Sequence, residues 1–195
     1  NAFDVKVALS NTAKILDTTK YDVFSQGAGR VDAYAAAHPN VLAYAIDKAV
    51  LDQGGALVDN LKGTVTFGPQ SLKENLSVTK QIKVKDIKGN GGIYNATVEV
   101  TKTVGDEHLT IDSLTFTLNG EQMLNVTLTA SKNTATKAGD EILGYIHIKN
   151  SDGETSISLP FAADFGGAAA VQFADFKISE TDLSFDADGV QDSAV

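Results

Sequence analysis

The sequence predicts a mainly β chain, a two-sheet antiparallel sandwich preceded by short α-helices. Three observations lead there. From Gly63 onward, apolar residues recur with a period of two. The stretches so patterned are separated by breaks rich in glycine and asparagine. Residues 1–40, in contrast, are dominated by alanine and carry apolar residues near helical spacing.

In chain order, Val5, Ala8, Leu9, Thr12 and Leu16 predict a helix over Phe3 to Leu16, with Asp4 as N-cap and Asp17-Thr18-Thr19 as the exit. Ser25-Gln26-Gly27-Ala28-Gly29-Arg30 follows a loop, and its two glycines permit a tight turn. Val31 to Ala37 reads as a second short helix stopped by Pro39. Residues 41–62 fit two periods. Leu42, Ala45, Ile46, Ala49 and Val50 match a helix, whereas Leu42, Tyr44 and Ile46 alternate like a strand. The Asp52-Gln53-Gly54-Gly55 break suits a hairpin turn, which favours strands.

Beyond Gly63 the alternation is plain. Val65 and Phe67 share one face of a short strand. The next stretches are Leu76, Val78, Ile82 and Val84, then Tyr94, Ala96, Val98 and Val100, then Leu114, Phe116 and Leu118. They are followed by Leu124, Val126, Leu128 and Ala130, by Ile142, Ile146 and Ile148, and by Ile157, Leu159 and Phe161. Such a pattern buries one face of a sheet and wets the other. Gly89-Asn90-Gly91-Gly92, Asn119-Gly120 and Ser151-Asp152-Gly153 supply turn chemistry between stretches. Roughly six or seven strands at this spacing predict the sandwich. A Gly-Gly-Ala-Ala-Ala linker after Phe165 leads to one more strand-like stretch, Val171 to Ile178, and then to an acidic end.

Bulk properties narrow the function classes. A formal charge of −9 and an isoelectric point near 4.7 set the surface against phosphate backbones, so nucleic acid is not an expected partner. No apolar run has the ~18 residues of a membrane-spanning helix, so no membrane association is expected. The absence of cysteine excludes disulfides, thiolate metal sites and cysteine nucleophiles. The opening residues lack the basic start and apolar middle of a secretory signal, and Asn1-Ala2 is set aside as a scar. A chain opening on Phe3-Asp4-Val5-Lys6 is expected to be a piece of something longer.

Chemistry-bearing motifs are few. His38 beside Pro39 is expected to cap a helix, His147 to face solvent opposite Ile146 and Ile148, and His108 to lie in a loop. There is no G-x-S-x-G elbow and no H-E-x-x-H helix. Gly27-Ala28-Gly29 is a fragment of a dinucleotide fingerprint, but the third glycine and the βαβ setting are missing. The one constellation with metal chemistry is Asp186, Asp188 and Asp192 around Gly189. Carboxylates at alternate positions before a glycine resemble the start of a calcium loop, which makes calcium the candidate cofactor. The closing glutamate of such a loop is absent, and a solvated acidic tail is the alternative.

Two segments together carry a family resemblance. Val5-Lys6-Val7-Ala8-Leu9-Ser10-Asn11-Thr12-Ala13-Lys14 resembles the helix near the end of subtilisin-like (subtilase) catalytic domains. Ser25-Gln26-Gly27-Ala28-Gly29-Arg30-Val31-Asp32-Ala33-Tyr34-Ala35-Ala36 resembles the segment that closes the same domain. Further on, Phe67-Gly68, Val78 to Lys85, Gly144 to Ile148 and Ser158-Leu159-Pro160-Phe161 resemble the fibronectin type III-like domain of large subtilases, the cell-envelope and minor extracellular proteases among them. Leu183 to Asp192 resembles the opening of another Ig-like module, with Asp186-Ala187 departing from its usual pattern.

The resemblance implies a C-terminal peptidase remnant over 3–40, a fibronectin III-like sandwich over 41–165, and a linker with the start of a following Ig-like module over 166–195. The G-T-S and H-G-T motifs of the triad are missing, so no catalytic residue is expected in this chain, and Asn11 is not the family's oxyanion asparagine. The implied function is non-catalytic support within an extracellular serine endopeptidase, secreted or associated with the cell wall. The implied partners are its own catalytic domain, with a protein substrate or a cell-wall component as further candidates. An independent adhesion or carbohydrate-binding Ig-like module is the alternative. A remnant parted from its catalytic core would hold orphaned apolar groups among Val7, Leu9, Ile15, Leu16 and Val31. It is then expected to fold onto the sandwich, to contact a neighbouring chain, or to be mobile.

Overall fold

The computed structural model describes residues 2–50, 55–153 and 155–166. Three short helices come first: α1 (Ala2–Asn11), α2 (Val23–Gln26) and α3 (Ala33–Ala37). Ten strands follow among the described residues: β1 (Val41–Val50), β2 (Leu57–Lys62), β3 (Val65–Pro69), β4 (Leu76–Asp86) and β5 (Gly92–Lys102), then β6 (His108–Ile111), β7 (Thr115–Leu118), β8 (Glu121–Ala130), β9 (Glu141–Asn150) and β10 (Ser156–Asp164). They form two sheets, ordered β2-β1-β4-β8-β6 and β3-β10-β9-β5-β7. The chain is mainly β, an Ig-like sandwich with a few short helices at its start. The hairpin break at 52–54 and the stretch from Val171 to Ile178 lie outside the described residues.

The alternating residues meet between the sheets. Ile82, Val84, Leu124, Val126 and Leu128 from one sheet are buried with Ala96, Ile146, Ile148, Leu159 and Phe161 from the other. Each of these valine, leucine, isoleucine and phenylalanine side chains contributes about 1.5–3 kcal/mol relative to exposure. Gly144, in the middle of β9, is set by this packing. A Cβ there would lie 2.0 Å from the Glu99 carbonyl oxygen and 2.7 Å from the Phe161 ring.

Several expectations are corrected. The seven alternating stretches are strands, and β1 and β2 are the strands favoured for 41–62, but β6 was not anticipated. His108 begins that strand rather than lying in a loop; Leu109 and Ile111 dip into the core over just four residues, too few to show a period. Leu114 and Val100 are exposed rather than buried. Leu114 precedes β7, and a bulge between Val100 and Lys102 throws the end of β5 out of phase. One strand pair is parallel, β3 with β10, because β2 ends at Lys62 and the chain crosses at Gly63 to the opposite sheet.

The helices also differ in their bounds. α1 begins at Ala2, so Asp4 sits inside its first turn, where its carboxylate accepts from the Tyr44 hydroxyl at 2.8 Å instead of capping. The helix stops at Asn11, not Leu16. Thr12 bonds back to the Ala8 carbonyl through its hydroxyl, and Lys14 then forms a β-bridge with Arg30. α3 starts at Ala33, with Asp32 as its N-cap accepting from the Ala35 N–H. α2 was not foreseen, although Asp22 three residues before Ser25 is its capping signal.

Of the three fates expected for the first residues, the structure has them folded onto the sandwich. Val7 and Ala8 pack on Leu42 and Tyr44, the outward-facing residues of β1. Val23 packs with Leu143 and Tyr145 on the outer face of β9, with Ile15 against them. Val7 is therefore not orphaned, whereas Leu9, Leu16 and Val31 are exposed.

Candidate functional site

The crossing from β2 to β3 leaves two strand edges open. β2 pairs with β1 only from Ala45 onward, so β1 lacks a neighbour on that side over 41–44. β3 pairs with β10 only from Phe161 onward, so β10 is open over 156–160. The end of α1 fills the gap between these edges. Its Asn11 side chain accepts from the Ala43 N–H at 2.7 Å and donates to the Ser158 carbonyl at 3.4 Å. Ser10 donates to the Gly63 carbonyl at the crossing itself. Buried amides need such partners, and this one is 1 % exposed.

The segment after α1 is tied together by the glycine-rich turn. The Gln26 side chain accepts from the Leu16 N–H and donates to the Tyr21 carbonyl. Lys14 and Arg30 exchange two backbone hydrogen bonds, of 2.8 and 2.9 Å. Gly29 between them has φ of 113°, and a Cβ there would stand 2.3 Å from the Lys14 carbonyl oxygen. Only glycine fits. The turn is anchored to the sandwich by Tyr145, whose hydroxyl donates to the Gly27 carbonyl at 3.0 Å. Burial raises the pKa of this hydroxyl, as it does that of Tyr44, where the Asp4 carboxylate adds to the effect. Asp4 itself is held below the usual carboxylate range, chiefly by the hydrogen bond from Tyr44.

Beside this layer runs a groove. Two adjoining cavities, of about 210 and 290 Å³, share Thr12, Lys14, Ser156 and Ile157 as walls. His38 closes one end and His147 with Lys149 the other. His38 caps α3 as expected, its Nδ1 2.9 Å from the Tyr34 carbonyl oxygen and its ring against that of Tyr34. His147 is not simply solvated. Its Nε2 lies 2.8 Å from a Glu99 carboxylate oxygen, and its side chain is only 19 % exposed. His108 spans the Asp106 carbonyl and the Thr129 hydroxyl.

Ser158, His147 and Glu99 lie on adjacent strands, with Ser158 directly opposite His147 in register. The types are those of a nucleophile, a base and an orienting acid, but the geometry is different. Among the described residues no serine hydroxyl bonds to a histidine, the first contact such chemistry needs. Sequence reasoning missed this row because it depends on strand order, which no local pattern reveals.

Asp186, Asp188 and Asp192, the calcium candidates, lie outside the described residues. Among the described residues no group of three metal-ligating side chains comes together, and no helix is long and apolar enough to cross a membrane. The acidic side chains that are well placed serve loops. Asp86 accepts from the backbone N–H groups of Lys88, Gly89 and Gly91 in the β4–β5 turn. Glu107, 6 % exposed, accepts from the Thr103 hydroxyl and from the N–H groups of Val104 and Gly105.

No protein-family model matches the chain, and no curated protein matches it either. Among solved structures it is similar to the CooA pilin subunit of enterotoxigenic Escherichia coli, at 11% identity and a TM-score of 0.36, over 66% of this chain and 100% of that one. The periplasmic chaperone SfaE is similar at 14% identity and a TM-score of 0.36, over 56% of this chain and 58% of the other. A putative carbohydrate-binding protein from Bacteroides ovatus shares 9% identity at a TM-score of 0.35, over 53% of this chain and 36% of that one. These likenesses concern the sandwich architecture alone.

Proposed function

We propose that the chain is a non-catalytic accessory region of an extracellular subtilisin-like serine endopeptidase. One observation carries the reading. The two segments that resemble the end of a subtilase catalytic domain are built into a single substructure, joined where Lys14 meets Arg30 across Gly29. Within it Gln26 accepts from the Leu16 N–H, the Gly27 carbonyl accepts from Tyr145, and Gly29 leaves room for the Lys14 carbonyl.

A second feature supports the same reading. The helical segments are packed on the sandwich, while Val5, Phe24, Val31 and Tyr34 stay exposed, at 61%, 62%, 58% and 78%. Exposed apolar side chains of this size offer a surface for contact with a neighbouring domain. In the parent enzyme that surface would meet the catalytic domain and fix its orientation relative to the sandwich. The chain would act outside the cell, secreted or attached to the wall.

The test has two arms. The chain is assayed on a generic protein substrate with and without a serine-directed covalent inhibitor, and it is screened against a glycan array. No turnover, no labelling and no glycan binding are expected. Inhibitor-sensitive turnover would overturn the non-catalytic assignment, and specific glycan binding would replace it with a carbohydrate-binding module.

A further inference from the structure

The open edge of β10 offers more than a place for Asn11. The Asn150 N–H bonds to the Thr155 carbonyl, so Thr155 and Asn150 form a hydrogen-bonded pair. Antiparallel ladders alternate, which makes Ser156–Lys149 and Ser158–His147 non-hydrogen-bonded pairs. The backbone N–H and C=O of Ser156 therefore turn away from β9, towards the groove. The Ser158 carbonyl, in the same phase, is the one Asn11 occupies. Further along the same edge, β3 is already added as a strand from Phe161 onward. Ser156 is exposed, whereas Ser158 is buried.

The walls of the groove are cationic. Lys14 and Lys149 line it, and among the described residues no carboxylate does. Lys149 is exposed and has no carboxylate partner among the described residues. Lys14 has only the distant Asp32, at 3.7 Å and with its own side chain 61% exposed. His147 is paired with Glu99.

We infer that this groove captures an extended acidic peptide as an added strand beside Ser156. The peptide residue opposite Ser156 exchanges two backbone hydrogen bonds with it. Carboxylates on one face of the peptide, recurring every second residue, reach Lys149 and Lys14. The inference holds whether or not the chain serves a protease, since it rests on the strand edge and the lysines alone.

The test uses the whole isotopically labelled chain and a capped heptapeptide alternating threonine and glutamate, with a threonine–glutamine peptide as control. Saturable amide shifts centred on Ser156 and Thr12 are expected with the glutamate peptide, and binding at least tenfold weaker with the glutamine one. Ser156→Pro removes the donor and should weaken binding about tenfold, the loss of one net hydrogen bond. The strand tolerates proline in this phase, since Pro160 already occupies it. Lys149→Glu, on the exposed surface, should abolish binding and provides a check independent of the backbone change. Binding unchanged by Ser156→Pro would reduce the site to charge attraction and overturn strand addition. Binding unchanged by Lys149→Glu, no saturable shift, or the same shifts with acetate or phosphate alone would each overturn the proposal.

Discussion

The side-chain oxygen of Asn11 accepts a 2.7 Å hydrogen bond from the backbone N–H of Ala43, thirty-two residues further along the chain. That N–H lies on the stretch of β1 that β2 does not reach, and the same amide continues to β10. Replacing Asn11 with alanine leaves a buried donor unsatisfied and should lower stability by about 1–3 kcal/mol. Urea denaturation of the two proteins measures it. An unchanged midpoint would mean that water replaces the amide and that the closure is not specific.

Gly27 and Gly29 both have positive φ, of 59° and 113°, yet they should respond differently to alanine. At Gly27 a Cβ meets nothing within 4 Å, so the cost is that of its backbone, φ 59° with ψ −124°, which side chains strongly disfavour, about 1–3 kcal/mol. At Gly29 it collides with the Lys14 carbonyl, so the Lys14–Arg30 bridge should open. Hydrogen exchange should show the Lys14 and Arg30 amides losing protection in Gly29→Ala and keeping it in Gly27→Ala.

Gly144→Ala places a methyl group against the Glu99 backbone and the Phe161 ring at once. Neither neighbour is the free end of a flexible side chain. The expected loss is at or above the upper end of the ~1–3 kcal/mol usual for overpacking. A thermal melt within a degree of the unsubstituted chain would show that β9 shifts to make room.

Burial would raise the pKa of Glu107, but hydrogen bonds from the Thr103 hydroxyl and from the Gly105 and Val104 N–H groups outweigh it and hold the carboxyl below its usual value. Asp86 follows the same pattern, with burial opposed by the N–H groups of Gly91, Gly89 and Lys88. Groups with lowered folded pKa values contribute stability above their unfolded values and lose it as pH falls through the folded ones. Urea midpoints should accordingly be flat near neutrality and fall in the acid range below pH ~4, the ordinary carboxylate range. Glu107→Gln should flatten part of that acid decline, and an identical pH profile would exclude Glu107 as a contributor.

The alternation at Ile82 and Val84, or at Leu124, Val126 and Leu128, was legible in the sequence because a buried sheet face imposes a period of two on the chain itself. Turns such as Asn119-Gly120 and the cap at His38 were legible for a similar reason, since their chemistry involves near neighbours. β6 was not, because four residues carry too little period. Nor was the end of α1, since what stops that helix includes a demand for Asn11 from a strand far along the chain.

The sequence by itself determined the class of fold, the period of its strands and the glycine-rich turn at Gly27-Ala28-Gly29. Only the tertiary structure decided that β2 and β3 part between sheets, that Asn11 closes the gap they leave, and that Ser156 faces a groove with Lys14 and Lys149. The division has a physical cause. Side-chain alternation and turn conformation are set by interactions a few residues long, whereas open edges and grooves arise from where strands stop relative to partners distant in sequence.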